Sequence, residues 1–181
     1  MPTCLLGPSC RECFAHTGGA TPRQGARVAI ATVWDGGHSY ECAIPLWCQS
    51  ATKLSKVIPD SQLVMLTPKT TSYCAHAVQL MPQKQPQAAR EYLARNRLMS
   101  LTKSFDLANL YKFALFSLTR FELLLYADLD IDLARPRLPT RQAWEAATSA
   151  LLQTEALFVG LFDHATPVNG GLWLARPRCH L

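Results

Sequence analysis

Three acids stand at alternating positions, Asp128, Asp130 and Asp132, directly after the apolar run Leu123-Leu-Leu-Tyr-Ala127. Carboxylate oxygens are what hard divalent cations such as Mn²⁺ or Mg²⁺ take as ligands, and such an ion can bridge the two phosphates of a nucleotide. On an extended strand Asp128 and Asp130 share one face and Leu129 takes the other. An apolar run this dense, bounded by charge, predicts a buried strand of a parallel sheet. Ligands of open α/β sheets gather at the carboxyl ends of such strands. The bland alternative is a solvated strand end or a helix N-cap, and Asp132, after Ile131, is read as capping the following turn.

Other chemically capable residues are scattered. Cys10-x-x-Cys13-x-x-His16, with Cys4 upstream, has zinc-ligand types. A closed zinc site shows two ligand pairs at hairpin spacing, so these are read as unligated thiols in a loose arm. Cysteines at 4, 10, 13, 42, 48, 74 and 179 make an odd seven, which points to reduced thiols and a cytoplasmic setting. An acid-poor start with Arg11, Arg23 and Arg27 leaves an organellar transit segment open. His164 and Asp163 are read as loop residues, Arg135, Arg137 and Arg141 as a solvated basic loop, and Tyr111, Phe113 and Phe116 as core.

The elements that must position the acids follow from the apolar pattern. Residues 1–26 are Cys-, Gly- and Pro-rich without periodicity and read as a leader or flexible arm. Arg27–Val33 predicts a first buried strand, stopped by Trp34-Asp-Gly-Gly37. Tyr40, Ala43, Ile44, Trp47 and Cys48 recur at helical spacing over 39–50, with Pro45 either kinking that helix or sitting near its first turn. Gln62–Thr67 predicts a second strand, completing a βαβ unit. Tyr73, Ala77 and Leu80 suggest a helix over 70–80, and 87–99 is helical in manner but heavily charged. Asp106 is an N-cap for a helix running to Arg120. Beyond the acids come a helix over 141–153, a strand over 156–162 and a closing strand over 172–175.

Taken together, Lys112-Phe-Ala-Leu-Phe-Ser-Leu-Thr-Arg-Phe-Glu-Leu-Leu-Leu-Tyr-Ala-Asp-Leu-Asp130 resembles the core of the glycogenin-like glycosyltransferases, the eighth sequence family of sugar-nucleotide transferases. In that pattern a lysine opens a helix, a Leu-Thr-x-aromatic step ends it, and a strand delivers Asp-x-Asp. Asn169-Gly-Gly-Leu-Trp-Leu-Ala-Arg-Pro177 is similar to the family's Asn-Ser-Gly turn and following strand, with Gly170 in place of Ser. The likeness spans about residues 27–178. The family's late His-x-x-Gly-x-x-Lys-Pro-Trp segment, and its Asp-Gln pair after the Asn-Ser-Gly strand, are not found in these residues. What is matched is the donor-binding half, with an incomplete C-terminal part.

The resemblance implies an α/β domain over 27–181 of the glycosyltransferase A type: a Rossmann-like, mostly parallel sheet with helices on both faces. It implies transfer of a sugar from a UDP-sugar donor to an acceptor (a glycan, protein or small molecule) with retention of configuration. Asp128 and Asp130 would hold Mn²⁺ or Mg²⁺, with Asp128 also near the ribose or sugar. Lys112 would reach the donor sugar or its diphosphate. Val33 and Tyr40 would border the uracil, where Trp34 replaces the family's small polar residue. Leu129 would line the same cofactor site, and Asn169 and Gly170 would face the sugar or acceptor. A nucleotide-sugar-binding or interaction protein without turnover is the second reading. A haloacid-type phosphotransferase ranks below both, because its Asp-x-Asp falls early with the lysine after it.

Composition is compatible with these readings. With 181 residues, 49% hydrophobic and 17% charged, the chain can bury one real core. The net charge of +5 is spread without a dense basic run, so a nucleotide is favoured over nucleic acid as a partner. No transmembrane segment is expected, and a homo-oligomer is left open.

Overall fold

The protein is described here from a computed structural model covering residues 14–82, 111–112, 114–133, 141–154, 156, 158–160 and 170–177. Its first deeply buried strand, β2 (Val28–Val33), has all six residues buried. Apart from the buried Thr32 the strand is apolar on both faces, because both are covered, as in the interior of a parallel sheet. A 3-10 helix (His38–Ala43) then leads into α1 (Ile44–Ser55). Pro45 sits in the first turn of α1, where its missing N–H costs no helical hydrogen bond. Ile44, Trp47, Cys48, Ala51 and Leu54 form the buried stripe of α1, at the three- and four-residue spacing of one helix face.

From α1 the chain returns through β3 (Ser61–Leu66), which lies parallel to β2 with Val28 opposite Ser61 and Val33 opposite Leu66. β4 (Val78–Pro82) is parallel to β3, and β1 (Phe14–Gly19) closes that edge antiparallel to β4. β5 (Leu123–Ala127) is laid on the other side of β2, parallel to it, with Val28 opposite Leu123 and Ala31 opposite Tyr126. After α2 (Arg141–Gln153), the strands β6 (Phe158–Gly160) and β7 (Leu172–Ala175) complete the sheet as antiparallel neighbours. The strand order is β1-β4-β3-β2-β5-β7-β6. The molecule is thus an α/β structure with a mixed seven-stranded sheet, parallel in its four central strands and antiparallel at both flanks.

Side chains alternate into two cores. Val28, Ile30, Leu63, Met65, Leu123 and Leu174 pack against α1 and against Trp144 and Leu151 of α2. Ala29, Ala31, Val64, Leu66, Leu124 and Tyr126 face the other way, against Tyr111, Ala114, Leu115 and Leu118. Each fully buried Leu or Ile contributes roughly 1.5–3 kcal/mol relative to exposure. Helical residues therefore cover both faces of the sheet. The chain runs outward from β2 through β3 to β4, then comes back to place β5 on the opposite side of β2. That reversal makes the carboxyl ends of β2 and β5 a topological switch point, the place where ligands of open α/β sheets bind.

Four expectations are corrected. The arm expected over 1–26 is not loose at 14–19: Phe-Ala-His-Thr-Gly-Gly is an edge strand, held by its ladder to β4 and not by apolar content. The helix expected over 70–80 is a set of turns followed by β4. There the buried Gln79 side chain accepts from the Thr71 N–H at 2.8 Å and donates to the Thr71 carbonyl at 2.6 Å, satisfying backbone that a helix would otherwise pair. Tyr73, read as part of a helix face, is exposed. The cysteines are not all reduced: Cys48 of α1 and Cys74 form a disulfide with Cα atoms 5.7 Å apart, while Cys42 is free and exposed. Finally, β5 ends at Ala127, and a turn closed by the Ile131 N–H to the Asp128 carbonyl at 3.0 Å carries the acids, so Asp128 and Asp130 do not lie on one extended strand. The element expected at 87–99, the N-cap Asp106, and the loops with Arg135, Arg137, Asp163 and His164 lie outside the described residues. Of the helix expected to run to Arg120, residues 111, 112, 114 and 115 are helical and turns replace it from 116. No described helix is long and apolar enough to cross a membrane.

Candidate functional site

The carboxyl ends of β2, β3 and β5 bring several polar side chains to one edge. Past β5, the Asp128 N–H continues the sheet by donating to the Gly171 carbonyl at 2.7 Å, which anchors the residue to the β7 side. The Lys112 ammonium meets its carboxylate, 2.8 Å from Oδ1 and 3.1 Å from Oδ2. The hydroxyl of Tyr126 donates to the same Oδ1. Lys112 also lies 5.2 Å from the centre of the Tyr126 ring, within cation–π range. That ring stacks on Trp173 of β7 at 4.8 Å, and Trp173 stacks in turn on Phe116 at 5.2 Å. The carboxylate is therefore presented by a rigid aromatic column.

Electrostatics follow from this placement. Burial pushes the Tyr126 phenol far above its ordinary value, and the charges of Asp128 and Asp130 push it further the same way. It stays a neutral donor at any physiological pH. Tyr111 is likewise raised, by burial first and then by the charge of Asp35. Asp35 follows β2, so its influence on Tyr111 ties the β2 end and the 111–115 segment to the same edge.

The turn after β2 is built around Gly36, whose φ of +81° lies in the left-handed region that suits glycine. Asp35 Oδ1 accepts from the Gly37 N–H at 2.8 Å, and the Trp34 indole donates to the Gly37 carbonyl at 2.9 Å. Lys69, just past β3, donates its ammonium to the Gly36 carbonyl at 2.9 Å. Two lysines, Lys69 and Lys112, thus stand on segments that leave this edge of the sheet.

The structure brings together some of the expected residues. Lys112 and Asp128 are in direct contact. Val33 is buried on the Tyr126 face; Ala31 is opposite Tyr126, so Val33 and Asp128 are the residues two further along each chain. Tyr40 is exposed on the 3-10 helix that follows the β2 turn. Asp130 is exposed in the turn, and Gly170 is exposed with open space around it. Leu129 does not face the edge: its side chain is buried in the core on the α1 side. Asn169 lies outside the described residues. Among the described residues, Asp128, Asp130 and Asp132 do not converge as a three-ligand group.

Residues not foreseen are Tyr126, Lys69, Asp35 and Trp173. The period-two alternation of a strand, carried back from Asp128, would have found Tyr126. Lys69 and Asp35 join the edge through the parallel pairing of β2 with β3 that the βαβ unit predicts, but no motif marks either residue. A separate groove at the opposite ends of β2 and β5, lined by Arg27, Asp60, Glu122, Trp144 and Thr148, is distant from these groups. Its arginine and Glu122 neutralise each other, and no chemistry is assigned to it.

No known family model matches this sequence, and no curated protein matches it either.

Proposed function

We propose that this chain binds the diphosphate of a UDP-sugar at the carboxyl edge of β5 and transfers the sugar to an acceptor, with retention of configuration and dependence on a divalent cation. The observation that carries the reading is the Lys112–Asp128 contact, backed by Tyr126, at the carboxyl end of β5 beside β2. The likeness of Lys112–Asp130 to the glycogenin-like pattern supports the same assignment. It rests on those residues and on an α/β fold that many functions share.

Asp128 and Asp130 offer only carboxylate oxygens, on a partly exposed edge, which is donor chemistry suited to Mn²⁺ or Mg²⁺. The remaining ligands of such an ion would come from phosphate oxygens and water. When bound, the cation supplies Lewis-acid stabilisation of charge on the departing diphosphate. Lys112 does its part by a change of partner: its ammonium leaves Asp128 for a phosphate oxygen, where it offsets negative charge as the sugar–phosphate bond breaks. Tyr126 keeps Asp128 oriented through that exchange. Val33 and Tyr40 border the nucleobase.

A second reading, nucleotide-sugar binding without turnover, is favoured by one feature. The Asp128 carboxylate is already satisfied by an ammonium and a hydroxyl, as in a structural ion pair. Incubating purified protein with UDP-sugars and Mn²⁺ and measuring released UDP separates the two. Release that is lost in Asp128→Asn supports catalysis, and tight binding without release supports the second reading. Absence of any UDP binding removes both.

A further inference from the structure

We propose that Cys48, Cys74 and His76 form, when the two cysteines are reduced, a site for a thiophilic divalent cation of the zinc class. It is chemically distinct from the carboxylate edge. α1 contributes Cys48 and, one turn on, Thr52; the connection before β4 contributes Cys74 and His76. One ligand atom from each of Cys48, Cys74 and His76 lies within 4.8 Å of the others. Among the described residues this is the one convergence of three such groups.

The spacing suits tetrahedral zinc. Bonds of about 2.3 Å to sulfur and about 2.0–2.1 Å to nitrogen put S and N roughly 3.6 Å apart, and two sulfurs roughly 3.8 Å apart. The imidazole is already there, with Nε2 at 3.2 Å and Nδ1 at 3.8 Å from the Cys48 sulfur. Backbones 5.7 Å apart at Cα serve a disulfide, and the sulfurs of a reduced pair need only rotate apart to chelate.

Thr52 sets the imidazole. Its hydroxyl hydrogen goes to the Cys48 carbonyl at 2.7 Å, so toward His76 Nε2, 2.6 Å away, it accepts. Nε2 therefore carries the hydrogen and Nδ1 keeps the lone pair. Metal-bound histidines are oriented by a hydrogen bond of this kind on the other ring nitrogen. Cys48 and Cys74 are buried in the α1-side core, where two thiolates without a counter-charge would be costly. A divalent cation supplies that charge. His76 is exposed, which leaves the fourth position to water.

In the structure the two sulfurs are joined, so cation and disulfide are alternative occupants of one position. The exchange balances with a low-molecular-weight disulfide as oxidant. Two protein thiolates give up two electrons and form the S–S bond. The reagent's S–S bond breaks to two thiolates, which take protons from water, and the cation leaves. Either occupant clamps α1 to the 71–77 connection.

The test uses the full chain with Cys10→Ser and Cys13→Ser, which removes the other Cys/His motif, reduced with a phosphine. Co²⁺ serves as the visible probe, and Zn²⁺ affinity is read by competition with a chromophoric chelator. The expected result is one equivalent of Co²⁺ with a thiolate charge-transfer band, displaced by Zn²⁺. Cys48→Ser should abolish the band, and His76→Ala should weaken Zn²⁺ binding about tenfold or more. Oxidation with glutathione disulfide should eliminate binding, and Zn²⁺ should raise Tm only in the reduced chain. No band in the reduced parent overturns the proposal. So does a band that is unchanged in His76→Ala or that survives oxidation. His76 is exposed, so that variant remains informative if Cys48→Ser does not fold.

Discussion

The Tyr126 hydroxyl and the Lys112 ammonium converge on one carboxylate oxygen of Asp128, with the ammonium 2.8 Å away. One donor is a neutral phenol buried in the core and the other a partly buried cation, so they respond differently to perturbation.

Removing only the hydroxyl isolates the first donor. Tyr126→Phe should lower stability by roughly 1.5–3 kcal/mol, the range for a hydrogen bond to a charged group. The phenol's folded pKa is raised, so its contribution is whole below the ordinary tyrosine range near ~10 and declines as pH climbs above it. Denaturant unfolding at neutral and alkaline pH should show the gap between wild type and Tyr126→Phe shrinking at high pH. A gap that widens there would contradict the assignment.

The edge strand β1 depends on a glycine. Gly19 has φ +73°, and a Cβ at that position would overlap the Ala77 carbonyl oxygen. Gly19→Ala should therefore combine left-handed strain of about 1–2 kcal/mol with a backbone clash, detaching β1 from β4. Hydrogen exchange should accelerate at the β1–β4 ladder and stay unchanged at β2 and β5.

Arg27 and Glu122 tie the starts of β2 and β5 by a two-pronged contact, 2.9 Å on one prong. The Arg27 hydrogen bond holds the Glu122 carboxyl below its usual range. A depressed carboxylate stabilises above the unfolded value and loses that effect as pH falls through the folded one. The Tm advantage of wild type over Glu122→Gln should thus be small at neutral pH, fade in acid, and diminish with salt because the pair is exposed.

The Cys48–Cys74 link closes a separation of 26 residues. Loop-closure entropy alone assigns it roughly 3–4 kcal/mol. Reduction in the presence of a metal chelator should lower unfolding free energy by about that amount. Cys48→Ser, if it folds, should be insensitive to the reductant.

Much of this architecture was readable before the structure, for a physical reason. β5 and β7 are continuous apolar runs, and β2 and β3 nearly so, with Thr32 inside the first and Ser61-Gln62 opening the second; burial on both faces calls for such runs. α1 declares itself through Ile44, Trp47, Ala51 and Leu54. β4 was misread because Tyr73, Ala77 and Leu80 happen to fit helical spacing, while the turn is held by the Gln79 side chain. β1 has almost no apolar signal, since its ladder to β4 does the holding. Asp128 and Lys112 were legible from their positions, but not the turn that separates Asp128 from Asp130. The disulfide, Lys69 and Asp35 depend on contacts between distant segments, which spacing along the chain does not encode.

The central claim, that the β5 edge takes a nucleoside diphosphate with a divalent cation, is tested most directly by calorimetric titration of UDP into the protein with and without Mn²⁺. Saturable binding that requires Mn²⁺, and that weakens at least tenfold in both Asp128→Asn and Lys112→Ala, is the predicted result. No binding to wild type, or binding indifferent to Mn²⁺ and to both substitutions, would contradict it.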